Sequence, residues 1–368
     1  MHMIPTKDKL RLLPHRVTRG IAARLVIGCL ALGISSAESA TENLKIPNLG
    51  SASTSLFSTE YEYRLGRAWL RFFRSQVATV NDPLLHSYLE DLVFNLVTHS
   101  ELQDRRVDLV LVDNATINAF AVPGGVIGIH NGLLLHAQTE DELATVIAHE
   151  IAHLSQRHFS RRQEFAKNQQ PLTLASMLAG FVLLATVGGD AGLAALTAAQ
   201  AAAQDSALRY SRSNEAEADR VAMQTIVDSG MDPHAASTMF ERMLQASRYA
   251  TGNRVPEFLR THPLSENRIA DTRNRARQYP KQIRPAKLDY QLMRARVVNQ
   301  LADTPEEAVA TFRKELEGTP RSAAAARYGL VLALTDAGRA DEAALELDSL
   351  WASDRERLEY IIADAEIA

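Results

Sequence analysis

Cysteine is nearly absent from this sequence: Cys29 is the only one in 368 residues. No intramolecular disulfide can form, and zinc sites built from four cysteines, or from two cysteines and two histidines, are excluded. Any metal here must be held by histidine and carboxylate. Charge of one sign is lacking too. The formal net charge is −4, and no basic stripe with interleaved aromatics appears, which excludes a nucleic-acid footprint. Disorder is excluded by composition, since 46% of residues are hydrophobic and 23% charged. The length allows a large core and two domains.

Residues 1–40 read as a secretory signal. Lys7, Lys9, Arg11, Arg16, Arg19 and Arg24 precede a short apolar run at 25–34, and Ser35, Ser36 and Ala37 offer a small-residue cleavage site. A cut near Ala40 is the other option. The apolar run is short for a membrane anchor. A lipoprotein box at 26–29 is disfavoured because Arg24 lies close and the apolar run continues past Cys29. Cleavage would export a chain without cysteine.

A second uncharged stretch runs from Asn168 to Gly189. Its length suits a transmembrane helix, but Gly180, Gly188, Gly189 and Asp190 interrupt it. The preferred expectation is a helical hairpin over 171–204 that covers a cleft and touches a membrane surface or an unfolded client. A span is the alternative.

Helical periodicity marks 61–77 and 83–99, with Pro83 in a first turn. Trp69, Phe72 and Phe73 are expected to be core. Residues 107–112 read as a buried strand. Strands at 117–122 and 126–130 flank Pro123-Gly124-Gly125, a hairpin turn. The edge near 126–129 is expected to align an extended peptide by backbone hydrogen bonds, unless the hairpin only packs on the next helix.

That helix, 139–158, carries His149-Glu150-Ile151-Ala152-His153. Thr139 and Glu142 form a capping box, and Leu143, Ile147, Ile151 and Leu154 make an apolar stripe. Two histidines four apart put both rings on one face, where they can share one Zn²⁺ per subunit. Glu150 beside them can take a proton from an activated water. A helix with two satisfied histidines and a solvated Glu is the bland alternative, and a third ligand decides between them.

Residues 214–230 form a helix with Ser213 as N-cap and Gly230 as its stop. Glu215, Asp219, Ala222 and Ile226 share one stripe. Two carboxylates on a buried face are costly unless paired or bound to metal. Glu215 is therefore the expected third ligand, and Asp219 the group that holds a ligand histidine by its other nitrogen. Glu217 is expected to be solvated and His158 to lie on the surface. The metzincin pattern fails, because Gln156 and Phe159 stand where it needs glycine and histidine.

Taken together, NAFAVPGG, VIAHEIAHLSQRH, the stretch Tyr210–Ala222 and Thr261-His262-Pro263-Leu264 resemble the M48 family of zinc metallopeptidases over roughly 55–280. The resemblance implies a mostly α (α+β) fold, gluzincin-type, with a small β-sheet. It implies zinc on His149, His153 and Glu215, Glu150 as general base and Asp219 in support. It further implies that His262 fills the fourth metal position at rest. On the residues alone, His262 before Pro263 is equally a structural loop residue. Arg268 is implied as a transition-state stabiliser, or is a surface arginine.

Beyond the boundary at Pro280–Pro285 the chain turns to helical repeats. PEEAVATF and ADEAALEL align with a period near 35, Ala308 falling on Ala343, close to the tetratricopeptide period. An ordinary helical bundle is the alternative. A short array, or one completed by another chain, is expected from the uncapped apolar end. The division is thus a signal peptide (1–40), a metallopeptidase domain (41–280) and a TPR-like repeat (281–368). Together these imply a periplasmic endopeptidase acting on misfolded or stalled envelope proteins. Its repeats would meet outer-membrane assembly machinery, and chaperone activity could accompany the cleavage. The competing function is a non-catalytic chaperone or adaptor with a structural metal site. An integral-membrane prenyl-protein protease fits less well, with only one internal apolar region.

Overall fold

The computed structural model describes residues 58–171, 189–249, 256–281 and 285–368, all within one compact unit. The proposed signal peptide, Cys29 and residues 172–188 of the uncharged stretch lie outside the described residues.

The protein is mostly helical with one three-stranded sheet. Helix α1 (Thr59–Gln76) starts at Ser58, whose hydroxyl accepts from the Tyr61 amide. Helix α2 (Pro83–Thr98) starts at Asp82 with proline in its first turn, where a missing N–H costs nothing. Strands β1 (Asp108–Val112), β2 (Ala119–Val122) and β3 (Val126–His130) lie in the order β1-β3-β2, with β1 parallel and β2 antiparallel to β3. Helices α3 (Gly132–His136) and α4 (Glu140–Ser155) follow, then α5 (158–171) and α6 (Gly189–Asp228). Next come α7 (His234–Tyr249), α8 (Glu257–Thr261) and α9 (Glu266–Ala276).

The period of two along the strands sorts the side chains. Leu109, Leu111, Ile127 and Ile129 enter the main core with α2 and α4, whereas Val110, Val112 and Val126 meet Trp69, Leu70 and Phe73 of α1. Trp69 and Phe73 are core as expected, but Phe72 is 67% exposed. The hairpin turn needs Gly124 and Gly125 at φ 86° and 82°, and their bare Cα atoms let the turn sit against α1 and residue 106.

Three expectations are corrected. Strand β3 is central rather than an edge, because its residues pair on both sides; the edge strands are β2 and β1, the latter bridged by Thr79 to Val112. The helix expected to end at His158 stops at Ser155, where Arg157 adopts φ 52° and α5 begins at 158. Ser213 is no N-cap: it lies inside α6, a helix of 40 residues. No Gly or Pro interrupts residues 193–229, so nothing stops the helix before Gly230, at φ 75°. Residues 189–204 of the expected helical hairpin are helical, forming the first part of α6, and its residues 172–188 lie outside the described residues. Among the described residues no helix is long and apolar enough to cross a membrane.

Beyond residue 285 the chain is all helix: α10 (Leu288–Gln300), α11 (Pro305–Glu317), α12 (Ala323–Asp336), α13 (Ala340–Trp351) and α14 (Leu358–Ile367). Helices α10, α12 and α14 start 35 residues apart (288, 323, 358), and so do α11 and α13 (305, 340). Ala308 and Ala343 are both buried, and Gly329 leaves room for the Phe312 ring. Helix α10 is tied to the rest by Tyr290, whose hydroxyl donates to the Ala137 carbonyl at 2.7 Å, and by Arg296, which donates to Asp82 at 2.6 Å.

A Cβ at Gly124 would fall 2.3 Å from the Glu62 carbonyl oxygen, a backbone atom that cannot swing away. Gly124→Ala combines that collision with a left-handed φ. It is expected to destabilise the chain by about 2 kcal/mol or more, read as a lowered urea midpoint.

Candidate metal centre

Helix α4 forms because its start is over-determined. The Thr139 hydroxyl accepts from the Glu142 amide, and Glu140, Asp141 and Glu142 face the positive end of the helix. The Glu142 carboxylate completes the cap on the Gln138 amide, one residue earlier than a capping box predicts. Every residue from Glu142 to Ala152 is buried, so α4 runs through the core and carries His149 and Glu150 with it.

The expected residues meet. Nε2 of His149 and Nε2 of His153 lie 3.0 Å apart. From α6, Glu215 brings one oxygen to 3.4 Å from His149 Nε2 and the other to 3.5 Å from His153 Nε2. His262, just past α8, places Nδ1 3.1 Å from Glu215 and 3.3 Å from His149 Nε2. One ligand atom from each of these four residues fits within 4.8 Å of the others. His262 is thus part of the cluster rather than a remote loop residue, stacked on Phe258 with centroids 4.7 Å apart. Asp219, one turn beyond Glu215, sits 3.0 Å from Nδ1 of His149.

Arg268 of α9 is not a surface arginine, being 9% exposed. Its Nε and Nη2 each donate to Asp219 at 2.7 Å, and its Nη1 donates to the Pro263 carbonyl at 2.9 Å and lies 3.0 Å from Glu215. These contacts occupy the guanidinium with holding Asp219, Glu215 and the His262 loop together.

Two further residues lie where the sequence did not place them. His158 is 2% exposed, with Nδ1 2.8 Å from Nδ1 of His153. Glu217, expected in solvent, accepts from Arg161 at 3.0 Å and lies 3.2 Å from Nε2 of His158. In an unbroken helix His158 would stand about 140° around the axis from His153. The left-handed Arg157 ends α4 and folds His158 back onto His153, so helical periodicity alone could not reveal the contact.

The charges do not balance. Glu150, Glu215 and Asp219 are all buried here, and among the described residues Arg268 is the one permanent cation paired with any of them. Burial would lower the pKa of His149, but hydrogen bonds with Asp219 and Glu215 outweigh it and raise the ring to about 9. Burial drives His153 the other way, well below its usual range. Glu150 is pushed up by burial, against the opposing fields of His262 and His149 and the Ala121 amide of β2. Oε1 of Glu150 is buried and takes no hydrogen bond. A divalent cation fits this donor set. Two imidazole nitrogens tetrahedrally placed on one Zn²⁺ would be about 3.3 Å apart, close to the separation seen. A dication would take the place of the proton on His149 and offset the two negative charges left when that ring is neutral.

Replacing Arg268 by Met leaves two buried carboxylates without their guanidinium. Burial opposes ionisation of Asp219, but Arg268 and His149 overcome it and hold its pKa below the ordinary value. A depressed carboxyl pKa stabilises the fold above the unfolded value, and that stability is lost as pH falls through the folded value. Arg268→Met is therefore expected to cost about 3 kcal/mol near neutrality. The gap to the parent protein should narrow on acidification, measured by urea unfolding across pH.

Comparison with known proteins accords with this geometry. The profile of peptidase family M48 matches residues 83–276. A Vibrio cholerae protein is 37% identical over 86% of this chain and 65% of its own length. The beta-barrel assembly-enhancing protease of Escherichia coli is 36% identical over 84% of this chain and 63% of its own. The mitochondrial metalloendopeptidase OMA1 of Schizosaccharomyces pombe is 28% identical over 58% and 60%. The chain thus spans somewhat under two thirds of the length of these relatives. With the family profile covering more than half of its residues, the chain belongs to peptidase family M48.

Proposed function

We propose that this chain is an exported, zinc-dependent endopeptidase that acts on misassembled or stalled envelope proteins. The observation that carries it is the surplus of buried carboxylate around two facing imidazoles, with an oxygen of Glu150 beside them that takes no hydrogen bond and lies 3.5 Å from His262 Nε2. His149, His153 and Glu215 would hold the zinc, with His262 filling a fourth position at rest. A zinc ion bound there polarises a carbonyl and acidifies a water.

The residues of the chain do the rest. Glu150 accepts the proton of the attacking water and returns it to the leaving amine nitrogen. Asp219 orients His149, and Arg268 fixes Asp219 and Glu215 in place; that positioning role replaces transition-state stabilisation. The outer edge of β2, whose Ala121 amide faces Glu150, is the place for an extended substrate to add backbone hydrogen bonds. Such pairing reads backbone rather than side chains, which suits a protease for unfolded clients.

The substrate class rests on the name shared by the Escherichia coli and Yersinia pestis relatives, beta-barrel assembly-enhancing protease. Export rests on the leader-like residues 1–40, and a periplasmic location follows from it. The 35-residue offset between alternate helices supports a TPR-like domain over 281–368 that recruits outer-membrane assembly machinery. Chaperone activity would use the same helices. Membrane contact through 171–204 belongs to this reading as well.

Casein degradation by the purified chain tests the assignment. Glu150→Gln is expected to keep one zinc per chain by elemental analysis and to lose at least about 100-fold in kcat/KM. Full cleavage by that variant would overturn Glu150 as the base, whereas a parent chain that binds zinc but cleaves nothing would leave the non-catalytic chaperone with a structural metal. Because burial raises the Glu150 pKa, and the base works only when ionised, kcat/KM should fall on acidification at a pH above the usual Glu pKa of about 4.3. A pH–rate profile reads this limb directly.

A further inference from the structure

We propose that His158 and Glu217 form a positioning chain that orients His153 for metal binding, an inference that rests on the metal-centre reading above. The geometry admits one consistent placement of protons. A neutral imidazole that gives Nε2 to a cation carries its hydrogen on Nδ1. Nδ1 of His153 faces Nδ1 of His158 at 2.8 Å, so the latter must be the lone-pair nitrogen. Nε2 of His158 then carries the hydrogen and donates to Glu217 at 3.2 Å. Glu217 also accepts from Arg161 at 3.0 Å, which keeps it in place. With the tautomers reversed, a carboxylate would face a lone pair and His153 would present its N–H to the cation.

The chain parallels the arrangement on the other ligand. His149 meets the Asp219 carboxylate directly at 3.0 Å, whereas His153 reaches Glu217 through an inserted imidazole. Both anchors are carboxylates of α6, two residues apart. Partners of this kind fix the tautomer and ring angle of a ligand histidine and raise its basicity.

A dedicated backbone device delivers His158. Arg157 holds φ 52°, a conformation unfavourable for a residue with a side chain. Its guanidinium donates to Glu62 of α1 at 2.9 Å, and the Ser160 hydroxyl bonds the same carboxylate. Glu62 therefore clamps both sides of the turn that returns His158 under His153.

Competition for Zn²⁺ between the full chain and a chromogenic chelator tests this without measuring catalysis. Asn is the informative replacement, since its Oδ1 occupies the position of Nδ1 and can accept from His153, whereas Leu fills the space with no acceptor. His158→Leu and His158→Ala are expected to weaken zinc binding about 10–100-fold. His158→Asn should recover most of that loss. Glu217→Gln, at a partly exposed site where folding is not at risk, should weaken binding several-fold. Parent-like affinity in His158→Leu and Glu217→Gln, or an Asn variant no better than Leu, would overturn the positioning chain while the metal centre stands. A parent chain that takes up no zinc would overturn both.

Discussion

Three buried carboxylates gather beside one guanidinium at the centre of this protein, and the surrounding structure is arranged around that imbalance. Glu150, Glu215 and Asp219 lie on two helices whose buried faces meet, and Arg268 reaches Glu215 and Asp219 from a third. Removing charge from water is expensive unless geometry compensates. Here it is compensated in part by bidentate pairing of Asp219 with Arg268. The remainder is what a dication among His149, His153, Glu215 and His262 would match. The same deficit explains why His149 holds a proton so tightly: two carboxylates compete to pair with it.

Each surrounding element can be understood by what it fixes. Helix α4 is capped and core-buried, so its histidines have little freedom. Helix α6 presents Glu215 and Asp219 one turn apart, with Ala222 and Ile226 continuing the stripe into the core. The short α8 carries His262 into the cluster against Phe258. The β2–β3 hairpin brings its outer strand beside Glu150, because two glycines with positive φ let the turn press against α1. Helix α10 then anchors the repeat-like tail to α2 and to the residues preceding α4, through Arg296 and Tyr290. A partner bound to the tail would thus act on a surface joined by hydrogen bonds to the base of the ligand-bearing helix.

Much of this was legible in the sequence. His149, Glu150, His153, Glu215 and Asp219 could be named because helical spacing places residues four apart on one face, and because carboxylates on an apolar stripe demand a partner. Strand β3 was bounded correctly from its apolar run between glycine and Asn131. The 35-residue period of the tail could be read from two short similar stretches, and the helix starts follow it.

What the tertiary structure alone decided depended on contacts between distant residues. Strand order is set by which edges meet, so β3 proved central although its sequence reads equally well as an edge. Helix α6 ran on through Ser213, since serine is a permitted interior residue and packing, not a cap, governed that stretch. Arg268 could be read as a transition-state stabiliser or as a surface arginine, and its contacts with Asp219 and Glu215 came only with α9 folded against α6. His158 stood apart from His153 by periodicity, and only a left-handed residue clamped by Glu62 from α1 joined them. Local spacing determines which side chains share a face of one element. Which faces of different elements meet, and therefore which charges must be balanced, depends on the packed whole.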